Sequence, residues 1–365
     1  MKKITLLFSL VLLFSLTTFA VDKPVKIGVI GLTHGHVHGL FRDKENKDIE
    51  IVAVVESNVA LAHKYAEKYG YSKDIIYTTI HQMLAEIQPE AVLGFGNIYD
   101  HLSIVEACAP LGIDVMVEKP LAVNMEHAKK IHDLAIKYDI DVLTNYETTW
   151  YPSNEKAYEL IHEDKIGEVR KVVINDGHKG PKNIHVEEEF LEWLTDEKLN
   201  GGGAIIDFGC YGANLLTWLF DGEKPVAITA ITAQYQPENN PNVDDESIIL
   251  VEYKSKVGVI QGSWNWPIGR KDMEVFGLKG VIDAPNPQEV TMKISKNYSD
   301  YDQTNYNMKD RAYPFNNPFS MFAHVVRKEI KLPNYSPSTL ENNMIVVEIL
   351  EKAKKSAKKG KKITL

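Results

Sequence analysis

Between residues 24 and 144 the apolar positions fall in short unbroken blocks rather than in alternation. VKIGVIG, IEIVAVVE, AVLGFGN, DVMVEKP and DVLTNYE carry successive Val, Ile or Leu residues, as strands covered on both faces do. NVALAHKYAEKYG and MEHAKKIHDLAIKYDI lie between them; their apolar residues recur at helical spacing, and Gly70 ends the first. Strand alternating with helix predicts a parallel, doubly wound sheet with ligands bound beyond the carboxyl ends of its strands. After about residue 145 the texture changes. EVRKVVIND, VAITAITAQY, ESIILVEYK, VGVIQGSWNW and MEVFGL read as strands of a mostly antiparallel sheet, GGGAIIDFGCYGANLLTWLF as an apolar helix, and KNYSDYDQTNYNMKDRAYPFNNP as a long loop. The expectation is an α/β chain: a doubly wound domain over 24–144, then an α+β domain over 145–365.

A chain of 365 residues is long enough for two ordinary domains. Its net charge of -9, with no basic run apart from the lysines of EKAKKSAKKGKK, argues against a nucleic-acid partner. Two cysteines in apolar contexts, Cys108 and Cys210, provide neither a disulfide framework nor a thiolate metal cluster. Residues 1–20 have a basic start at Lys2 and Lys3, an uncharged apolar stretch, and small residues Thr18 and Ala20 before VDKP. That is the pattern of a cleavable secretory signal without a lipid-attachment cysteine, so a periplasmic or secreted protein is expected, or a membrane-anchored one if the segment stays uncleaved.

The stretch KIGVIGLTHGHVHGLF sits where a Rossmann nucleotide-binding turn belongs. Such a turn places G-x-G-x-x-G between strand and helix, because glycines let backbone amides approach a pyrophosphate. Gly31 matches the first glycine, but Thr33 and His36 replace the second and third, and Gly35 falls between them. Glu56 ends the second strand, about twenty residues on, where a carboxylate accepts hydrogen bonds from the adenosine ribose; this favours NAD over NADP. His34, His36 and His38 alternate without a local carboxylate or thiolate, so no metal site is expected; His34 or His36 is expected to touch phosphate.

Lys119 follows the strand DVMVE, and GGGAIIDFGCYGAN puts Asp207 and Tyr211 four residues apart on one helix face, with Asn214 a turn further. Oxidising an alcohol needs a group that takes the hydroxyl proton and a cation that lowers the cost of the alkoxide. Tyr and Lys can fill these roles. In this order, and with GNIYDHLSIVEACAPLGIDVMVEKPLA and LIHEDKIGEVRKV around them, the segments resemble the Gfo/Idh/MocA oxidoreductases, most specifically in the Glu118-Lys119-Pro120 motif. The resemblance implies Tyr211 as proton acceptor, Lys119 as its electrostatic partner and nicotinamide neighbour, and Asp207 as a ligand of a substrate hydroxyl. It adds Asn97, His101 and Glu118 to the cofactor-binding residues Gly31, Thr33, His34, Gly35, His36, Glu56 and Lys119, and implies a homo-oligomer formed through a broad open sheet.

On the substrate side, His178 and Lys179 in NDGHKGPKNIH are expected to bind a carbohydrate together with Asp207 and Asn214, and Trp150, Tyr151, Trp193, Trp264 and Trp266 are candidates to stack on a sugar. Three functions fit. The first is an exported NAD-dependent sugar or polyol dehydrogenase. The second is a glycoside-processing enzyme that oxidises transiently and recycles its cofactor. The third is a carbohydrate-binding protein that has lost the cofactor.

Overall fold

A computed structural model describes residues 23–365; the expected signal segment lies outside them. The first sheet has six parallel strands: β1 (Val25–Ile30), β2 (Ile49–Val55), β3 (Ile76–Tyr77), β4 (Ala91–Gly94), β5 (Asp114–Glu118) and β6 (Val142–Asn145). Their order is β3-β2-β1-β4-β5-β6. All residues of β4, β5 and β6 are buried, which is why their apolar runs do not alternate. The chain steps outward from β1 to β3 and returns beside β1 as β4, so a crevice opens beyond the carboxyl ends of β1 and β4.

The second sheet contains β7 (Val169–Gly177), β8 (Ala227–Ala233), β9 (Glu246–Glu252), β10 (Val257–Ser263), β11 (Arg270–Gly277), β12 (Gly280–Ala284), β13 (Glu289–Ser295), β14 (Tyr301–Asn307) and β15 (Ile363–Thr364). The order is β14-β13-β12-β11-β7-β10-β9-β8-β15, antiparallel except for the pair β7 and β10. One face is covered by the helix Gly209–Leu219, which sits tight on β10: a Cβ on Gly212 would fall 2.5 Å from Ile260, and one on Gly258 2.2 Å from Leu216. The other face stays open and partly apolar, with Ile231 66% and Ile248 40% exposed.

Two departures from the sequence reading follow from packing. The expected loop after residue 295 contains β14, an edge strand paired only to β13; nearly all its residues are exposed, so no apolar alternation marks it. The helix Pro318–Val326, far along the second half, buries Phe319, Met321 and Phe322 in one core with Ile27, Val29 and Leu93 of the first sheet. Both cysteines are buried and unpaired. No helix among the described residues is long and apolar enough to cross a membrane.

Candidate active site

Lys119, just past β5, buries its ammonium against the second domain. It donates to the backbone carbonyl of Asp207 at 3.0 Å and pairs with the Asp207 carboxylate. The other Asp207 oxygen accepts the Trp264 indole N–H at 2.9 Å. Burial works against both charges, but each holds the other: the Asp207 carboxyl is kept at about 2 and Lys119 is raised above its ordinary range. The short helix Ala204–Asp207 ends at Phe208, and a second begins at Gly209. Tyr211, on the second, lies with its ring centre 5.0 Å from the Lys119 ammonium and 4.3 Å from that of Lys271. Lys271 in turn pairs with Glu147.

Burial drives the Tyr211 hydroxyl well above its ordinary value, and the Glu147 charge adds to this. At neutral pH the group is therefore a phenol, a proton donor. The two ammoniums near its ring are the groups that favour the phenolate needed to accept a proton.

The crevice at β1 and β4 is a cavity of about 280 Å³ whose lining includes Gly31, Thr33, Glu56, Gly96, Asn97 and Asp100. Gly31 has φ +81, and a Cβ there would lie 2.7 Å from the Gly96 amide nitrogen; the strand-to-helix turn requires glycine at this one point. Glu56 is buried and accepts the amides of Leu32 at 3.0 Å and Asn58 at 2.9 Å, which fixes a carboxylate at the cavity wall. The cradle and the acid fit the adenosine half of a dinucleotide.

The histidines of the turn are held from two sides. Trp193 donates its indole N–H to the Thr33 hydroxyl at 3.1 Å, Phe190 lies 4.8 Å from the His34 ring, and Glu187 bonds His38 at 2.7 Å. A strap from the second domain thus covers the rewritten turn. From beneath, Glu118 takes His36 Nδ1 at 2.8 Å and lies 3.8 Å from His34 Nε2. Burial opposes the Glu118 charge, but the two imidazoles and Asn145 hold the carboxyl at about 2.

His34, His36 and Glu118 thus come within metal-ligand distance of one another, the carboxylate arriving from a strand 82 residues beyond His36. Their hydrogen bonding fits a triad better than a metal set. His34 Nδ1 accepts the His36 amide at 3.2 Å, so its proton sits on Nε2, the atom a metal would need bare.

Comparison with known proteins bears on this geometry directly. Residues 25–146 match the oxidoreductase family model for the NAD-binding Rossmann fold, and residues 154–283 match the GFO/IDH/MocA C-terminal domain. The chain belongs to the GFO/IDH/MocA oxidoreductase family. It is 27% identical to the trans-1,2-dihydrobenzene-1,2-diol dehydrogenase of Xenopus laevis over 66% of this chain and 68% of that protein. It is 25% identical to the NADP-dependent D-xylose 1-dehydrogenase of Haloarcula marismortui over 72% of each chain. In fold it matches an inositol dehydrogenase homologue from Azotobacter vinelandii complexed with NAD+, at a TM-score of 0.80 and 17% identity over 94% of this chain and 98% of that one.

Within this GFO/IDH/MocA chain the expected site residues separate. Lys119, Asp207 and Tyr211 converge, although both Asp207 oxygens are engaged inside the protein rather than offered to a substrate. His178 lies partly buried against Phe208 at 4.9 Å, and burial lowers its pKa while the Asp207 charge opposes; Lys179 is exposed beside it. Asn214 departs from expectation. It is fully buried and donates to the Pro337 carbonyl and the Asn342 side-chain oxygen, because its helix is buried along almost its whole length. His101 is likewise sealed, with Nδ1 on the Leu121 carbonyl at 3.1 Å and burial holding it near 4. Gly35 lies under Phe190 with room to spare.

Lys271, Glu147, Asn145 and Asp176 are absent from the sequence reading. Lys271 stands opposite Asp176 in the β7–β11 ladder and shares the parity of buried Met273 and Val275. A charge on the covered parity of a strand was its one signal. Asp176 is buried with an oxygen lacking any partner among the described residues, and burial lifts its carboxyl to about 8. A larger cavity of about 370 Å³ lies elsewhere, lined by Trp218, Phe315 and an Arg311 already paired with Glu155; Lys119, Asp207 and Tyr211 are not part of its lining.

Proposed function

We propose that this chain is an exported NAD-dependent dehydrogenase acting on a secondary hydroxyl of a sugar, polyol or sugar derivative. The observation that carries the reading is the meeting of Lys119, Asp207 and Tyr211 from two domains, in a chain whose first sheet holds a nucleotide-sized crevice. Gly31, Thr33, Glu56 and Asn97 would hold NAD, which supplies a hydride acceptor when bound. Asp207 fixes the Lys119 ammonium, and Lys119 and Lys271 stabilise negative charge on the Tyr211 oxygen while it exchanges a proton with the substrate hydroxyl. Glu56 supports NAD over NADP because a 2'-phosphate would meet its charge. The names of the relatives, a diol and a xylose dehydrogenase, agree with the substrate class.

Export rests on the composition of residues 1–20. The apolar open face of the second sheet, with Ile231, Ile248 and Leu250 outward, supports burial against a second copy of the chain. The experiment is a panel of free sugars, polyols and glycosides with added NAD, followed by nicotinamide absorbance. Absorbance that rises with at least one of them supports the reading; no rise with any compound opposes it.

One observation favours a second reading, in which the cofactor is retained and recycled while a glycoside is processed. The strap contacts at Thr33, His34 and His38 cover the turn on which a pyrophosphate would lie. A substrate turned over with no net NADH identifies that case.

A further inference from the structure

We propose that His36, oriented by Glu118, is a second proton-transfer group of this cleft, acting on the carbon next to a substrate carbonyl; this rests on the oxidoreductase reading above. Of the three histidines in the turn, His34 and His38 are buried while the His36 side chain is 37% exposed. Its Nδ1 is committed to Glu118, a carboxylate that offers only lone pairs, so Nδ1 carries the proton and Nε2 is left with a lone pair. Glu118 is in turn held in place. Its second oxygen accepts Asn145 Nδ2 at 2.8 Å, and Asn145 Oδ1 accepts the Trp150 indole at 3.0 Å.

A carboxylate that fixes the tautomer and orientation of an imidazole, itself buttressed by a further hydrogen bond, is the arrangement that makes histidine an effective base. Its place suits this role. Glu118 immediately precedes Lys119, and Asn145, which holds Glu118, stands two residues before Glu147, the partner of Lys271 beside Tyr211. The cleft therefore carries two separate proton handlers, Tyr211 for the oxygen and His36 for a neighbouring carbon.

The step balances on a keto-sugar. The carbon–hydrogen bond adjacent to the carbonyl breaks, its proton passes to His36 Nε2, and its electron pair moves into the carbonyl to give an enolate beside the Lys119 ammonium. Return of a proton to that carbon regenerates the ketone. Alternatively the enolate pair forms a double bond to the next carbon as the carbonyl re-forms, and a leaving group on that next carbon departs with the pair of its own bond and takes the proton held on His36, giving the unsaturated ketone and the free alcohol.

The test presents the whole protein with sugars already oxidised at one ring carbon, in deuterated water, and follows loss of the adjacent carbon–hydrogen signal by NMR. The wild type should catalyse exchange. His36→Ala should slow it about a hundredfold or more, and added imidazole should restore part of it. His36→Gln, which keeps the volume, guards against misfolding and should also lack exchange. Wild-type exchange in both variants overturns the proposal, as does a variant that loses NAD affinity yet exchanges normally, which would make His36 a phosphate ligand. A wild-type protein that oxidises sugars with NAD yet exchanges no keto-sugar overturns it too while leaving the dehydrogenase reading intact; failure of both activities removes that reading as well.

Discussion

Replacing Lys119 by Met tests the buried pair that joins the two domains. The substitution strands the Asp207 carboxylate, 6% exposed, with the Trp264 N–H as its remaining side-chain donor. In the intact protein Asp207 is moved from 3.8 to about 2, a shift equivalent to about 2 kcal/mol, and this survives an opposing burial effect. Removing the cation uncovers that effect as well, so the loss should reach about 3–5 kcal/mol, the usual cost of breaking a buried pair from one side. Urea unfolding followed by tryptophan fluorescence should show a midpoint lower by roughly 1 M.

The double variant Lys119→Met/Asp207→Leu should recover most of the stability, because apolar residues replace buried pairs at little cost. It should stay inactive. The sign of the pH dependence follows: a depressed carboxyl stabilises the wild type fully above pH 4 and progressively less as pH falls toward 2, and this decline should vanish in the double variant. A single variant as stable as wild type, or a double variant no more stable than the single, would refute the reasoning.

Tyr211→Phe keeps the ring and its packing, so stability should hold while turnover drops about a hundredfold or more, read from initial rates on the best substrate. Gly31→Ala puts a Cβ against Gly96 at a backbone angle that favours glycine; calorimetry should show NAD affinity weakened tenfold or more. His101, neutral and held near 4 against an ordinary 6.5, stabilises the fold above pH 6.5 and loses about 3 kcal/mol as pH falls to 4. Urea midpoints of His101→Gln should be correspondingly flatter over that range.

The parallel sheet was legible because burial on both faces leaves unbroken Val and Ile runs, and Lys119, Asp207 and Tyr211 because each sits in a compact local motif. Lys271 and Glu147 were not, since they reach Tyr211 across strand pairing and a long chain separation. No carboxylate lies among the histidines in sequence, which spoke against a metal site there; Glu118 reaches them from the end of β5, one strand beyond β4, the neighbour of β1. Asn214 misled for the opposite reason: spacing puts it near Tyr211, but a helix buried on every side gives each face a different neighbour. The strap over the turn had no sequence signal: Glu187 and Phe190 did not stand out, and Trp193 was a candidate to stack on a sugar, whereas its indole N–H goes to Thr33.

The most direct measurement is a calorimetric titration of the purified protein, stripped of any bound nucleotide, with NAD and then NADP. Binding of NAD at least tenfold tighter than NADP is predicted, because Gly31 gives the backbone its close approach and Glu56 sets a fixed carboxylate at the cavity wall. No heat with either nucleotide at millimolar concentration would contradict the account.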